Sequence, residues 1–268
     1  MSNKRGTNTR KRRTRSELRA TGVPAREPWT IPLAWLNSVI AFFLLAPAWI
    51  STLTFFTCFR QVAVHHRFWA SEEFWFFALG AVLWVIAFFG LPRPLLLYVF
   101  GHELTHALWV WLLGGRVSDF RVSRTGGHIV SDKHNFWIAL APYFFPLYSI
   151  AVIGAYGAAE LFTNMEPYHR WLYALIGVTW AFHVSFTLWM IPKGQTDLTY
   201  YGTFFSIVVI YLMNLAVLTV LLIVASPHVT WRGFALEWLR NAHGFARWAL
   251  DFAWRLRELF DNGWRMKG

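Results

Sequence analysis

Long apolar blocks alternate with short polar segments along most of the chain. Six of these blocks are long enough to cross a bilayer, because about 20 helical residues span a hydrocarbon layer about 30 Å thick. The predicted membrane-spanning helices are residues 31–59, 74–90, 95–113, 136–161, 171–191 and 200–225. The pattern therefore predicts an all-α polytopic membrane protein with about six transmembrane helices.

The connection after the third block has a different pattern. Phe120 and Val122 alternate with polar residues, and the pair Gly126 and Gly127 follows. Apolar residues at every second position beside a glycine-rich turn are typical of a β-hairpin. We predict a short β-hairpin within residues 116–131, with a plain solvent loop as the alternative.

Apolar and charged residues separate onto two faces in the C-terminal segment. From about Trp231 to Trp264, large apolar residues recur at steps of three and four, and Arg, Asp and Glu fall elsewhere around the helix. Trp and Phe on one face with Arg on the other suit a helix that lies in the bilayer interface. We predict an interfacial amphipathic helix within residues 227–268; packing against another subunit is the alternative.

Composition and charge agree with a membrane protein. Of the 268 residues, 56% are hydrophobic and 15% are charged, whereas a soluble domain is about 45–50% apolar and about 25% charged. The net charge is +11, and residues 1–29 hold nine Lys or Arg with only two Glu. On a hydrophobic body, such a basic tail indicates a cytoplasmic segment near anionic lipid headgroups rather than binding to nucleic acid.

Three regions follow from these patterns. We expect a disordered basic tail at 1–29, a membrane-embedded domain at 30–226 and the amphipathic helix at 227–268. Six spans place both basic ends on one side, which is cytoplasmic by the positive-inside rule, and the expected location is a bacterial inner (cell) membrane. The only cysteine, Cys58, excludes an intrachain disulfide and a cysteine-rich metal site.

Glu103 is the only carboxylate in the middle of a predicted span, and it stands between two histidines, His102 and His106. Ionisable residues inside the membrane are costly, so they are functional candidates by default. Residues four apart lie about 40° apart around a helix, so both imidazoles can reach one Zn²⁺ ion. Glu103, on an adjacent face, can then act as general base towards a metal-bound water. The alternative is a pair of core histidines bonded to a neutral glutamate.

The third metal ligand is not fixed by this motif, because residues 107–112 offer no ligand. Asp197 is one candidate, since a carboxylate after a broken helix can face a protein cavity, but it can also cap the sixth span. His183, within the fifth span, is a second candidate or a core histidine. Glu160 is a third candidate, but it stands at a polar helix end.

Together these features resemble the site-2 protease family of intramembrane zinc metalloproteases. The likeness is carried by the His-Glu-Leu-Thr-His run at 102–106, the glycine-bearing hairpin after it and Asp197 at the start of a later span. The resemblance covers roughly residues 93–225 and departs around Asp197, where the family usually has Leu-Asp-Gly. It implies His102, His106 and Asp197 as zinc ligands.

The resemblance also implies a function. Glu103 would be the catalytic general base, and the hairpin would help to hold the substrate as an extended strand. The leading hypothesis is an intramembrane zinc endopeptidase that cleaves a membrane-anchored protein in or near its transmembrane segment. The alternatives are a zinc-binding pseudo-protease that acts as a membrane-protein adaptor, and an ion or proton transporter.

Overall fold

The computed structural model describes residues 33–65, 68–226 and 228–265, so the basic tail predicted at 1–29 lies outside the described residues. The helices and strands are α1 (Leu33–His65), α2 (Glu72–Gly90), α3 (Leu95–Leu112), β1 (Val117–Ser123), β2 (Gly126–Ser131), α4 (Phe136–Leu140), α5 (Leu147–Glu160), α6 (His169–Met190), α7 (Thr196–Tyr200), α8 (Thr203–Ala225) and α9 (Trp231–Arg265). Within these described ranges, the 3₁₀ turns are Phe68–Ala70, Ala141–Tyr143, Glu166–Tyr168 and Ile191–Lys193.

Five helices in the described part of the chain are long and apolar enough to cross a membrane, namely α1, α2, α3, α6 and α8. The fourth predicted span is divided instead, because α4 and α5 meet at an angle of 78°. Pro142 and Pro146 lie at this break, and proline cannot continue the hydrogen bonding of a helix. The count of candidate spans is therefore five, or six if the bent pair is one span.

Helices α2 and α6 pack with their backbones in direct contact. A Cβ atom added to Gly80 would overlap the carbonyl oxygen of Ala174, and one added to Gly177 would overlap the carbonyl oxygen of Phe77. Small residues allow this close approach, which drives helix association where lipid provides no hydrophobic force. The two glycines thus set the distance between α2 and α6.

The break between α4 and α5 is fixed against α8. The Asn214 side-chain amide donates a 3.0 Å hydrogen bond to the carbonyl oxygen of Tyr143. Helix α7 is fixed in the same way, because the Ser206 hydroxyl donates to the carbonyl oxygen of Leu198 at 2.9 Å and Leu198 is buried. These bonds hold the break and the short helix α7 against α8.

The predicted hairpin is confirmed. Strands β1 and β2 pair antiparallel, with Phe120 opposite Ile129. Its base is attached to the end of α3, since the Lys133 ammonium donates to the carbonyl oxygen of Leu113 at 2.6 Å. Beside it, the Asp132 carboxylate accepts a 2.7 Å bond from the backbone amide of Arg116. The hairpin is therefore held along α3.

Helix α9 covers the segment that is amphipathic in sequence and packs against α1. The Trp238 indole donates to the Ser51 hydroxyl and the Asn241 amide donates to the Thr54 hydroxyl, both at 3.0 Å. Farther along, the large apolar side chains of α9, among them Phe252, are exposed. The position of α9 in a bilayer interface stays a prediction.

Candidate metal centre

Three side chains from two distant segments meet beside the middle of α3. The Nε2 atoms of His102 and His106 lie 3.2 Å apart. Oδ2 of Asp197, in α7, lies 3.2 Å from Nε2 of His102 and 3.5 Å from Nε2 of His106. Within the described ranges, this is the one group of three or more His, Cys, Asp or Glu residues close enough to hold a metal ion.

The separations of these three atoms fit a tetrahedral zinc ion. Ligand atoms about 2.0–2.1 Å from zinc lie about 3.3–3.4 Å from one another at the corners of a tetrahedron. The observed distances of 3.2, 3.2 and 3.5 Å agree with that spacing. Three acceptor atoms this close repel one another unless a cation or a shared proton lies between them, so the donor set suits Zn²⁺.

A backbone carbonyl sets the orientation of His106. Nδ1 of His106 lies 2.8 Å from the carbonyl oxygen of Ile138, which can only accept, so Nδ1 carries the proton and Nε2 has a free lone pair. That carbonyl is available because the residue four positions later is Pro142, which has no amide hydrogen. The broken fourth span therefore prepares His106 to bind a metal through Nε2.

His102 is held from its other edge. Its Nδ1 lies 3.3 Å from the hydroxyl of Tyr98, one turn earlier on α3. The Tyr98 ring stacks on Phe186, with ring centroids 4.6 Å apart and an angle of 11°, and Phe186 is fully buried. Partners of this kind orient metal-binding imidazoles.

Asp197 is positioned by α7. Its alternative role as an N-cap does not apply, because Asp197 lies within α7, Gln195 is the cap of that helix and Gly202 is the cap of α8. The Tyr143 hydroxyl donates to Oδ2 of Asp197 at 3.3 Å.

Glu103 lies on the side of α3 that faces the hairpin. The residue is buried, with 7% of its surface exposed. A Cβ atom added to Gly127 of β2 would lie 2.6 Å from Cγ of Glu103 and 2.7 Å from the carbonyl oxygen of Arg121. The glycine thus allows β2 to run directly over the glutamate.

A cavity of about 490 Å³ opens over these groups. The three metal-ligand candidates and Glu103 line it together with β2, from Gly126 to Ile129, and with Lys193 and His134. His128, in strand β2, is exposed and is also among the residues that border this cavity. The cavity therefore borders both strand β2 and the candidate metal centre.

The two other ligand candidates stand apart from this cluster. Glu160 is exposed at the end of α5, and His183 belongs to α6 and is not in the group of converging ligands. Tyr98, Tyr143 and the Ile138 carbonyl were not predicted as parts of the site from the sequence. A tyrosine four residues before His102 is a usable signal for Tyr98, whereas the other two meet the site only through tertiary structure.

Comparison with known proteins gives no relative: no protein-family model, curated protein or solved structure matches the chain. The likeness to the site-2 protease family is thus carried by the motif residues alone and stays a prediction.

Proposed function

We propose that this protein is a membrane-embedded zinc endopeptidase that hydrolyses peptide bonds in or near transmembrane segments of membrane-anchored proteins. The observation that carries the proposal is the convergence of His102, His106 and Asp197 at separations that fit zinc, beside the buried carboxylate of Glu103. A structural zinc site uses four protein ligands, whereas a catalytic site keeps one position open. Three ligands therefore favour catalysis.

The residues divide the chemistry between them. Bound zinc supplies a Lewis acid that polarises the scissile carbonyl and acidifies water. The Glu103 carboxylate accepts the proton of the attacking water and then delivers it to the nitrogen of the leaving amine. Its burial between α3 and β2 limits the contact of the carboxylate with bulk water.

The hairpin supports a peptide as the substrate. Strand β2 borders the cavity from Gly126 to Ile129, while its other edge pairs with β1. A substrate segment that unwinds from its helix exposes main-chain donors and acceptors, which a strand edge can satisfy by β-augmentation. A peptide added to β2 would place its backbone over Glu103 and the metal centre.

The first test is zinc content of the purified full chain in detergent, measured by mass spectrometry. We expect about one zinc per chain in the wild type and in a His169→Ala control, and a loss of at least 10-fold in His102→Ala, His106→Ala and Asp197→Ala. A wild-type protein that contains no zinc would overturn the proposal of a zinc enzyme and favour the alternative of an ion or proton transporter.

The second test separates the enzyme from the adaptor. Fluorescein-labelled casein, which is unfolded, and a single-span fusion protein in co-reconstituted liposomes serve as probes. The wild type should cleave at least one probe, and Glu103→Gln should keep its zinc but lose cleavage by about 10³-fold or more, as expected for loss of a general base. A wild-type protein that binds zinc but cleaves neither probe would overturn the proposal of a peptidase and favour the alternative of a membrane-protein adaptor.

A further inference from the structure

His183 has an unsatisfied polar atom inside the protein. Among all described residues, its Nε2 is the one buried side-chain nitrogen or oxygen that has no hydrogen-bond partner. Buried polar groups are nearly always paired with protein or with ordered water, so an exception of this kind asks for an explanation. His183 lies in α6, outside the cluster of candidate zinc ligands.

A second cavity lies between His183 and the metal centre. Its volume is about 30 Å³, and His183, His102, Tyr98 and Thr105 are among the residues that line it. A water molecule needs about 10–15 Å³ of such space and two to four polar partners. The cavity therefore has room for one or two waters on the side of His102 that faces away from the hairpin.

The direction of the hydrogen bonds determines which donors and acceptors are available to a water in this cavity. If Nε2 of His102 binds zinc, its Nδ1 carries the proton and donates to the Tyr98 oxygen, 3.3 Å away. The Tyr98 hydroxyl hydrogen then needs an acceptor of its own. Nε2 of His183 is an unused acceptor in the same cavity when the proton of that ring is on Nδ1.

Thr105 supplies a further partner. Its hydroxyl donates a 2.7 Å bond to the carbonyl oxygen of Gly101, which leaves the lone pairs of the hydroxyl free to accept. A water in the cavity would accept from Tyr98 and donate to His183 and to Thr105. These three bonds are the usual number for a buried water.

We propose that His183 is a positioning residue of the metal centre, which holds His102 through one buried water and the hydroxyl of Tyr98. The inference rests on the proposed zinc site and adds the group that fixes the tautomer of one ligand. The chain of bonds runs from Nδ1 of His102 to Tyr98, to the water and to Nε2 of His183. Outer partners of metal-binding histidines raise the basicity of the ligand and restrict its ring.

The test is a double-mutant cycle on zinc affinity, measured by competition with a chromogenic chelator on the full chain in detergent. His183→Phe and Tyr98→Phe should each weaken zinc binding by about 10- to 100-fold. Because both substitutions break the same chain of hydrogen bonds, the zinc affinity of the double variant should be within about 3-fold of that of the single variant that binds zinc more weakly. His169→Phe, at the exposed start of α6, is the matched control and should bind as the wild type does.

A conservative variant separates hydrogen bonding from packing. His183→Gln keeps an acceptor and should stay within about 3-fold of wild-type affinity. Three results would each overturn the proposal. His183→Phe could bind zinc as tightly as the wild type, the losses of affinity could simply add in the double variant, or His183→Gln could bind as weakly as His183→Phe.

One measurement does not depend on the variants folding. An experimental density map of the wild type should show a water peak within hydrogen-bonding distance of Nε2 of His183, and a dry cavity would overturn the proposal. Failure of the zinc site itself gives a different result, because the wild type would then bind no zinc at all.

Discussion

Gly127 of β2 lies so close to Glu103 of α3 that no methyl group fits between them. The added Cβ would be 2.6 Å from Cγ of Glu103 and 2.9 Å from Cγ1 of Val99. Helix α3, which the sequence shows as a long apolar block, and the hairpin, which it shows as alternating apolar and polar residues, thus meet at the candidate catalytic residue. The position of the hairpin and the position of the carboxylate are set by the same contact.

Replacing Gly127 should therefore impair catalysis more than metal binding. In Gly127→Ala, the new methyl group would be too close both to Cγ of Glu103 and to the carbonyl oxygen of Arg121. Either Glu103 or the strand must therefore move by several tenths of an ångström. We expect cleavage of labelled casein to fall about 10²-fold, as for a small displacement of a catalytic group, while zinc content stays near one per chain.

The matched control is Gly154→Ala in α5, where a Cβ meets no atom within 4 Å. This variant should cleave as the wild type does and gain about 0.5–1 kcal/mol of stability from the better helix former. Wild-type cleavage by Gly127→Ala would show that the contact with Glu103 has no role in the reaction.

The bond from Tyr143 to Asp197 gives a second prediction. Tyr143→Phe removes the 3.3 Å hydrogen bond to Oδ2 and changes little else, because the ring is fully buried. Asp197 would lose a partner that orients its carboxylate, so zinc affinity should fall by about 10-fold. Chelator competition measures this. The control is Tyr156→Phe in α5, because the Tyr156 hydroxyl donates to the carbonyl oxygen of Met165 and not to a residue of the metal centre. Equal affinities of the two variants would contradict the prediction.

The sequence predicted the parts of this structure that repeat along the chain. Apolar blocks located α1, α2, α3, α6 and α8, and strict alternation located the hairpin, because both signals are periodic and local. The His-Glu-Leu-Thr-His run predicted that His102 and His106 share one helical face, and their Nε2 atoms are 3.2 Å apart.

The structural features that the sequence did not predict lie at positions where the regular hydrophobic pattern is interrupted. The prolines between α4 and α5 were visible, but the 78° bend and the free carbonyl of Ile138 depend on how that break packs. Asp197 and His183 were both open as third ligands. Tertiary packing separates them, because α7 brings Asp197 to the two imidazoles while His183 faces a second cavity.

The contact between α2 and α6 gives a third prediction, on stability. Gly177→Ala forces a methyl group into the carbonyl oxygen of Phe77, which cannot move without shifting a whole helix. Overpacking of this kind costs about 1–3 kcal/mol, so thermal unfolding in detergent should begin at a lower temperature. The Gly154→Ala variant is again the control, and an unchanged midpoint for Gly177→Ala would contradict the backbone contact.

The last prediction concerns α9 and the bilayer. Arg247 and Phe252 are both exposed and are five residues apart, so they point about 140° away from each other around the helix. If α9 lies in the interface, the side of Phe252 is covered by lipid and the side of Arg247 meets water.

Single cysteines at these two positions test that placement in proteoliposomes, in a Cys58→Ala background that removes the only native thiol. A membrane-impermeant maleimide should label Phe252→Cys at least about 10-fold more slowly than Arg247→Cys, because the apolar face is withdrawn from water by burial in the acyl boundary. Both residues are on one helix, so the ratio of rates does not depend on the orientation of the protein in the vesicles. Equal rates would mean that α9 lies free in water, and the interfacial helix would have to be abandoned.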